Sequence, residues 1–350
     1  MIADIRLKQF RSYIDKTVKL QDGINIIFGP NASGKTNLLE AIMMVCVGKS
    51  YRASDSELVM QGKLWSRIDS NLNDGTKRTL RINLENQSPK NFTINHKTIK
   101  RLLFNYQIPV VLFEPSHLSL VSGSPENRRV YLDSILEQIN PEYKHIKTSY
   151  AKNLRQRNSL LKKGDFKKDE IFPWNIRLSQ LGGSIVFLRN ELTSLINSSL
   201  KTVYDSLSSG NETITTKYAP HVETAAYETN LLKKLEHDLA LDILRGYTAH
   251  GPHREDMEIL INGKNPSVFA SRGETRTITV ALKIIEAEII KQKLNQQPIL
   301  LMDDIFSELD SRRASHLSDY LKNGQSIVTT TDLNIFKNKT NANLIDITKI

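Results

Sequence analysis

The 350-residue sequence predicts an α/β fold interrupted by helices, and three observations predict it. Short apolar runs with the character of buried strands lie near both ends of the chain. The segment between them has helical periodicity. A glycine-rich loop follows one of the runs and opens a helix. Hydrophobic residues make up 39% and charged residues 25%, the proportions of a globular chain of about two domains.

The elements follow in order. Residues 24–28 form a mostly apolar run that ends at a glycine, as a buried strand would. Residues 80–84 and 92–94 alternate apolar and polar, which suits half-exposed strands, and Asn73-Asp74-Gly75 is a hairpin signal. Residues 109–113 read as another buried strand. From about 126 to 234 the period becomes helical, with Val130, Ile135 and Leu136 and later Leu178, Leu181, Ile185 and Leu188 near helical spacing. Gly164, Asp165 and Pro173 read as turns. An amphipathic helix is expected at 277–293, a buried strand at 299–302 and another at 326–330. We therefore expect one α/β domain made of residues 1–122 and 240–350, with a helical arm, 123–239, inserted into it.

Composition excludes several classes. A single cysteine, Cys46, rules out an internal disulfide and a cysteine-rich zinc site, and fits a reducing cytoplasm. Asp4, Arg6 and Lys8 leave residues 1–10 without the apolar core of a signal peptide. The longest apolar run, 41–47, is far short of the ~20 residues that span a bilayer, so no membrane role is expected. Lys and Arg total 48 against 38 Asp and Glu, a net charge of +10 that suits a polyanionic partner.

Gly29-Pro30-Asn31-Ala32-Ser33-Gly34-Lys35-Thr36 matches G-x-x-x-x-G-K-[ST]. Glycines let the backbone curl until successive N–H groups face phosphate oxygens, and the helix N-terminus adds partial positive charge. Lys35 would reach the β- and γ-phosphates of ATP, and the Thr36 hydroxyl would ligate Mg2+. A predicted strand before the loop and a helical pattern after it, with Leu39, Ile42, Met43 and Cys46 on one face, supply the required context.

The run at 299–302 ends in Asp303-Asp304. Carboxylates at the C-terminal edge of a buried strand lie where α/β sheets place their chemistry. Asp303 is the natural magnesium partner of Thr36, and Asp304 would orient or activate the attacking water. Fast ATPases of this architecture usually carry Glu there; the shorter reach of Asp304 predicts slow turnover.

Ser271-Arg272-Gly273-Glu274 fits S-x-x-E, a capping box, and precedes a helix carrying Ile278, Ala281, Ile284 and Ile285. The same helix start could offer its N–H groups and the Ser271 hydroxyl, with Gly273 and Glu274 beside it, to a phosphate. A phosphate loop, then this element, then an acidic strand is the order of ABC-type ATPases. In them the serine–glycine element of one subunit closes over ATP held by the other. Residues 307–310, Ser-Glu-Leu-Asp, match the loop where such subunits meet. The predicted fold is thus an ABC-type P-loop ATPase head assembled from both chain ends, with an inserted helical arm too short for a long coiled coil.

At this level of detail the chain resembles the RecF family of SMC-like ABC-type ATPases over essentially its full length. The resemblance rests on Phe10-Arg11-Ser12-Tyr13, the phosphate loop, and Gly48-Lys49-Ser50-Tyr51-Arg52 leading to Asp55 and Glu57-Leu58. It continues through Gly123-Ser124-Pro125 with Arg128-Arg129, Gln156-Arg157-Asn158 with Leu160-Leu161-Lys162, Gly251-Pro252-His253-Arg254, Ser271 to Glu274 and the acidic strand. It implies ATP binding, dimerisation through sandwiched nucleotide, and weak ATP hydrolysis. It also implies binding of duplex, gapped or junction DNA, and recombinase loading with RecR and RecO in recombinational repair, replication-gap processing and the SOS response. By the same analogy Arg11 contacts the nucleotide, and the location is cytoplasmic and nucleoid-associated. The sequence departs from the family in two places: Pro115-Ser116-His117-Leu118 stands where Pro-Glu-Asp-Leu is usual, and Trp174-Asn175 where Trp-Asp is usual.

Residues 144–168 carry nine Lys or Arg against Asp165, a local net of +8. The excess is one-sided and long enough to track phosphates, so Lys152, Arg155, Arg157, Lys162 and Lys163 are candidate DNA contacts, largely indifferent to sequence. Lys63, Arg67, Lys77, Arg78, Lys97, Lys100 and Arg101 are alternatives on the head. His250 and His253 are spaced H-x-x-H, but without further ligands a loop or interface role is expected for them. The expected protein is an ATP-switched DNA-binding homodimer. Its rivals are a chromosome-segregation or nuclease-complex head of the SMC type, a P-loop kinase, and a scaffold that binds ATP without hydrolysing it.

Overall fold

A computed structural model describes residues 1–86, 90–208, 212–267, 269–333 and 342–349. The chain divides into two units, Met1–His117 with Ile290–Ile350, and Leu118–Ile289.

The first unit holds two sheets. One is antiparallel, in the order β2-β1-β4-β5-β6-β7, built from β1 (Ile2–Phe10), β2 (Tyr13–Lys19), β4 (Trp65–Leu72), β5 (Lys77–Asn83), β6 (Lys90–Ile94) and β7 (Lys97–Ile99). The expected hairpin turn at 73–75 joins β4 to β5, with Gly75 in the left-handed region at φ 84°. The other sheet is parallel, in the order β13-β3-β12-β11-β8, built from β3 (Ile24–Phe28), β8 (Val110–Phe113), β11 (Ile299–Asp303), β12 (Ser326–Thr330) and β13 (Asn343–Asp346). Its register aligns the strand ends: Phe28 pairs Thr330, Thr329 pairs Asp303, and Met302 pairs Phe113. The loops after β3, β11 and β8 therefore leave one carboxyl edge, where parallel sheets bind ligands.

Helix α1 (Lys35–Val47) shares one apolar cluster with strands of both sheets. It is buried on nearly every side, not along the single stripe that Leu39, Ile42, Met43 and Cys46 suggested. A helix covered by two sheets has no solvent face to reserve for polar residues, which is why its pattern is apolar all round.

The second unit comprises α2 (Ser119–Ser122), α3 (Pro125–Ile139), α4 (Tyr143–Lys163), α5 (Lys168–Leu207), β9 (Ile214–Ala219), α6 (Tyr227–His237), α7 (Leu239–Arg245), β10 (Asp256–Ile261) and most of α8 (Arg272–Leu294). It differs from the expected insertion in four ways. It runs from 118 to 289 instead of 123 to 239, because β10 pairs antiparallel with β9 and holds the later segment in this unit. The helical stretch contains β9, whose buried Ile214, Thr216 and Tyr218 have the period of two that marks a strand. Val130 is exposed, and the buried face of α3 is Tyr131, Leu132, Ile135 and Leu136. Pro173 lies inside α5; the hydrogen bond it forgoes would have gone to the carbonyl of Asp169, an exposed residue in the first turn. The stripe of Leu178, Leu181 and Ile185 is buried as expected, with Leu188 half-buried, and continues through Leu192, Ile196 and Leu200.

Candidate nucleotide and metal site

The loop between β3 and α1 needs its glycines for space as much as for conformation. A Cβ on Gly29 would lie 2.5 Å from Cγ2 of Ile347, and one on Gly34 would lie 3.1 Å from the Tyr13 hydroxyl. Gly34, the N-cap of α1, also takes φ 100°, and Ala32 sits at φ 62°. A left-handed alanine costs roughly 1–2 kcal/mol, a strain held at the site.

Lys35 is nearly buried, with 8% of its surface exposed. Its Nζ donates to the carbonyls of Gly29 and Pro30, both at 2.8 Å. Burial lowers its pKa, and the nearby carboxylates of Asp304 and Asp303 act in the opposite direction. Thr36 Oγ1 donates to Asp303 Oδ1 at 3.0 Å, so the two residues expected to share magnesium are in direct contact. Thr329 Oγ1 donates to the same oxygen at 2.8 Å and accepts the backbone N–H of Asp304 at 3.0 Å. Asp304 takes a left-handed conformation at φ 50°, which turns the chain sharply at the sheet edge.

These groups fit a magnesium–nucleotide triphosphate. Ser33 Oγ is buried inside the loop with no partner among the described protein atoms, as a donor reserved for an anion would be. Lys35 rests on neutral carbonyls that a phosphate would outcompete. Among the described residues no cluster of three or more His, Cys, Asp or Glu could hold a metal by itself. Magnesium does not need one, since it takes one or two protein oxygens and completes its shell with phosphate and water.

A clamp that no local sequence pattern announces fixes the start of α1. Three consecutive residues of the β1–β2 hairpin bind three helix residues spaced by three. Arg11 makes a bidentate pair with Glu40 at 2.8 and 3.0 Å, the Asn37 amide donates to Ser12 Oγ at 3.0 Å, and the Tyr13 hydroxyl donates to the Gly34 carbonyl at 3.0 Å. Glu40 is fully buried; it also accepts from Ser50 Oγ at 2.5 Å and Arg52 Nη2 at 3.1 Å. Burial pushes its carboxyl pKa up, but the bonds from Arg11, Ser50 and Arg52 outweigh this and the net shift is downward. The available signal was Glu40 itself, the sole charge in the apolar run 38–47. Nothing in the local sequence marked Thr329.

In the second unit, Ser271 and Glu274 form the expected capping box. Glu274 Oε2 accepts the Ser271 N–H at 2.7 Å, and Ser271 Oγ accepts the Glu274 N–H at 3.2 Å. Ser271 is exposed at the start of a 23-residue helix, with Gly273 half-buried beside it.

The basic segment divides. Lys152, Arg155, Lys162 and Lys163 are exposed along one face of α4. Arg157 is fully buried and is no DNA contact. Its Nη1 donates to Asp242 Oδ2 and Thr248 Oγ1, and its Nε to Asn175 Oδ1, all at 2.7 Å. Asn175, one of the departures from the family pattern, is thus an internal partner of Arg157. The loop reading of the histidines agrees with their contacts: His250 Nε2 lies 2.8 Å from Asp238 and His253 Nδ1 2.7 Å from the Tyr150 hydroxyl. On the head, Arg67 pairs with Asp69 and Arg78 donates to the Val45 carbonyl, whereas Lys63, Lys77, Lys97, Lys100 and Arg101 are exposed.

A phosphate loop after β3, a capped serine–glycine helix start and an acidic edge on β11, in that order along the chain, together with a mixed two-sheet unit, define an ABC-type head of the SMC kind. A family model described as the RecF/RecN/SMC N-terminal domain matches residues 1–349. The DNA replication and repair protein RecF of Lachnoclostridium phytofermentans is 35% identical over 345 residues, which cover 97% of this chain and 94% of that protein. A solved structure of the recombination mediator protein RecF with ATP matches with a TM-score of 0.87 and 29% identity, over 99% of this chain and 95% of that one. An Smc head bound to the C-terminal winged-helix domain of ScpA shares the fold alone, at a TM-score of 0.54 and 17% identity, over 95% of this chain and 89% of that one. The chain belongs to the RecF family of DNA replication and repair proteins.

Proposed function

We propose that this chain is an ATP-switched DNA-binding protein of recombinational repair and replication-gap processing. The observation that carries the reading is the contact of Thr36 with Asp303 below a loop in which Lys35 and Ser33 have only neutral partners or none. Such a site takes up a magnesium-bound triphosphate with oxygens and donors already assembled. Lys35 binds the β- and γ-phosphates, Thr36 and Asp303 hold magnesium, and Asp304 positions the attacking water. Arg11, kept at the loop by Glu40, contacts the nucleotide.

Each site is completed by a second copy of the chain. The exposed N–H groups and hydroxyl at Ser271, with Gly273 and Glu274, close on the γ-phosphate held by the partner. The functional head therefore includes the start of α8 as well as the first compact unit. Dimerisation aligns a DNA-binding surface for duplex and gapped DNA, with Lys152, Arg155, Lys162 and Lys163 as its contacts. The dimer helps load recombinase with RecR and RecO. Slow, DNA-dependent hydrolysis through Asp304 releases the DNA, acting as a timer more than a motor.

Sedimentation velocity with and without ATP and a gapped duplex tests these steps together. The expected result is a monomer without ATP, a dimer with it, and a dimer–DNA complex when both are present. Ser271→Arg should keep monomer ATP binding while abolishing the dimer, through steric and charge conflict at the phosphate. A dimer that forms without ATP, or that survives this substitution, contradicts the switch.

A further inference from the structure

The turn after α7 is fastened to α4 beside the exposed basic strip. The N–H and Oγ1 of Thr248 donate to Asn158 Oδ1 at 2.9 and 2.7 Å. Gly246, left-handed at φ 71°, lies against the side chain of Lys162; a Cβ added there would stand 3.5 Å from Lys162 Cγ. Arg155, Asn158 and Lys162 are spaced by three and four residues, so they share one side of α4. Tyr247, between Gly246 and Thr248, is therefore held alongside the cations of that side.

Tyr247 keeps 41% of its surface exposed, and the Arg254 guanidinium carbon stands 4.9 Å from its ring centroid, a planar cation over an aromatic face. Leu244, three residues before it, is 83% exposed. Arg245, Arg254 and Lys162 are exposed too, and among the described residues no carboxylate lies within ion-pair distance of them. An exposed aromatic–guanidinium stack, bordered by cations that the chain does not neutralise, suits a ligand of flat apolar faces joined by negative charges. Single-stranded nucleic acid has that chemistry: its bases stack on aromatic and guanidinium planes while its phosphates meet the cations. In an intact duplex the bases are stacked on one another and present no such face. An acidic peptide matches the charge but not the stacked plane, and the patch is continuous with the strip assigned to DNA.

We propose that Tyr247 and Arg254 form a stacking platform for an unpaired base of gapped DNA, while Arg155 and Lys162 hold the phosphates beside it. The platform lets the arm distinguish a gap from intact duplex. The cations alone cannot do so, because phosphates offer them the same charge in both. This assignment rests on the DNA-binding reading given above and adds to it the residue that recognises the substrate class. Tyr247 is a binding residue in this role.

The test measures binding of the full chain, with ATP and magnesium, to three DNAs of equal length by fluorescence anisotropy. One is an intact duplex, one is a gapped duplex, and one is the same gapped duplex with abasic nucleotides in its single-stranded stretch. The abasic stretch keeps the phosphates and removes the bases. The unsubstituted chain should bind the base-bearing gap about tenfold more tightly than the abasic gap, the scale of one base–aromatic stack. Tyr247→Ala should erase that preference and leave the affinities for intact duplex and abasic gap unchanged; Tyr247→Phe, which retains the ring, should keep it. A preference that survives Tyr247→Ala, or that the unsubstituted chain lacks, overturns the platform and leaves Leu244 and Tyr247 as a face for an acidic protein segment. Equal loss on all three DNAs in Tyr247→Ala overturns it as well, and makes Tyr247 a support of the fold. An unsubstituted chain that binds none of the three would instead remove the DNA reading beneath it.

Discussion

Each unit of this chain buries a cation, and the two cations are buried in opposite ways. Arg157, in the second unit, is fully enclosed and meets a full charge, Asp242, together with Asn175, Thr248 and the Leu235 carbonyl. Lys35, in the first unit, is 8% exposed and gives its hydrogen bonds to two backbone carbonyls. A buried charge is tolerated when its desolvation is offset by a matched counter-charge and saturated hydrogen bonds. Arg157 satisfies that condition internally and so holds the structure together. Lys35 satisfies it only in part, next to a Ser33 hydroxyl without a partner among the described residues and strained backbone at Ala32, an arrangement that fits a bound anion. A basic residue in this chain therefore belongs to the scaffold or to the site according to what already neutralises it.

The largest expected effect tests the scaffold side. Asp242→Ala strands Arg157 without its counter-charge and should cost about 3–5 kcal/mol in urea unfolding. Replacing Asp242 and Arg157 together with Leu and Met should recover most of that loss. A cost of the single change below about 1 kcal/mol would mean that the pair is not what holds Arg157 in place. On the site side, Lys35→Ala should weaken ATP binding by roughly a hundredfold or more, about 3 kcal/mol, and abolish ATP-dependent dimers. Its unfolding free energy without nucleotide should move by less than about 1 kcal/mol. ATP-dependent dimers that persist unchanged would place Lys35 with Arg157 as scaffold.

A third test uses pH. His253 is packed against Tyr150 and the Thr248 carbonyl, and burial lowers its pKa to about 4. A histidine whose folded pKa lies below its unfolded value of ~6.5 contributes stability above pH ~6.5 and loses it as pH falls toward 4. Between pH 7 and 5 the chain should lose about 2 kcal/mol from this group, and His253→Gln should flatten that slope in urea titrations. An identical slope in the variant would show that the ring titrates freely. The smallest effect per residue concerns the exposed strip. Neutralising Lys152, Arg155, Lys162 and Lys163 should lower the salt slope of DNA binding by about 0.9 for each phosphate they no longer neutralise, and Arg157→Gln should leave it unchanged. If the fourfold variant keeps the full slope, DNA lies instead on the exposed head residues Lys63, Lys77, Lys97, Lys100 and Arg101.

Much of the head was legible because its signals are local. The phosphate loop, the acids after β11 and the capping box at Ser271 are short patterns whose chemistry demands particular residue types at fixed spacing. Four strands of the parallel sheet, β3, β8, β11 and β12, read correctly because both faces are covered and their runs are largely apolar, whereas β13, with one buried residue in four, was not anticipated. What failed depended on distant partners. Val130 and Arg157 occupy positions that helical period or charge alone would assign to the opposite environment, and only the packing of α3 and α4 decides which way they face. Thr329 looks unremarkable in sequence, and Glu40 shows only as a lone charge in an apolar run, because their partners, Asp303 and Arg11, lie 26 and 29 residues away.

The sequence by itself determined the fold class, the order of the nucleotide-binding elements and the family, since each rests on residue type and spacing along one stretch of chain. Tertiary structure alone decided which basic residues are available to a ligand. It also carried β10 into the second unit, and it brought the Arg11–Tyr13 hairpin onto the first turns of α1. The physical reason is that burial and counter-charge are properties of a three-dimensional neighbourhood. A run of nine lysines and arginines records charge but not which of them a folded chain has already neutralised.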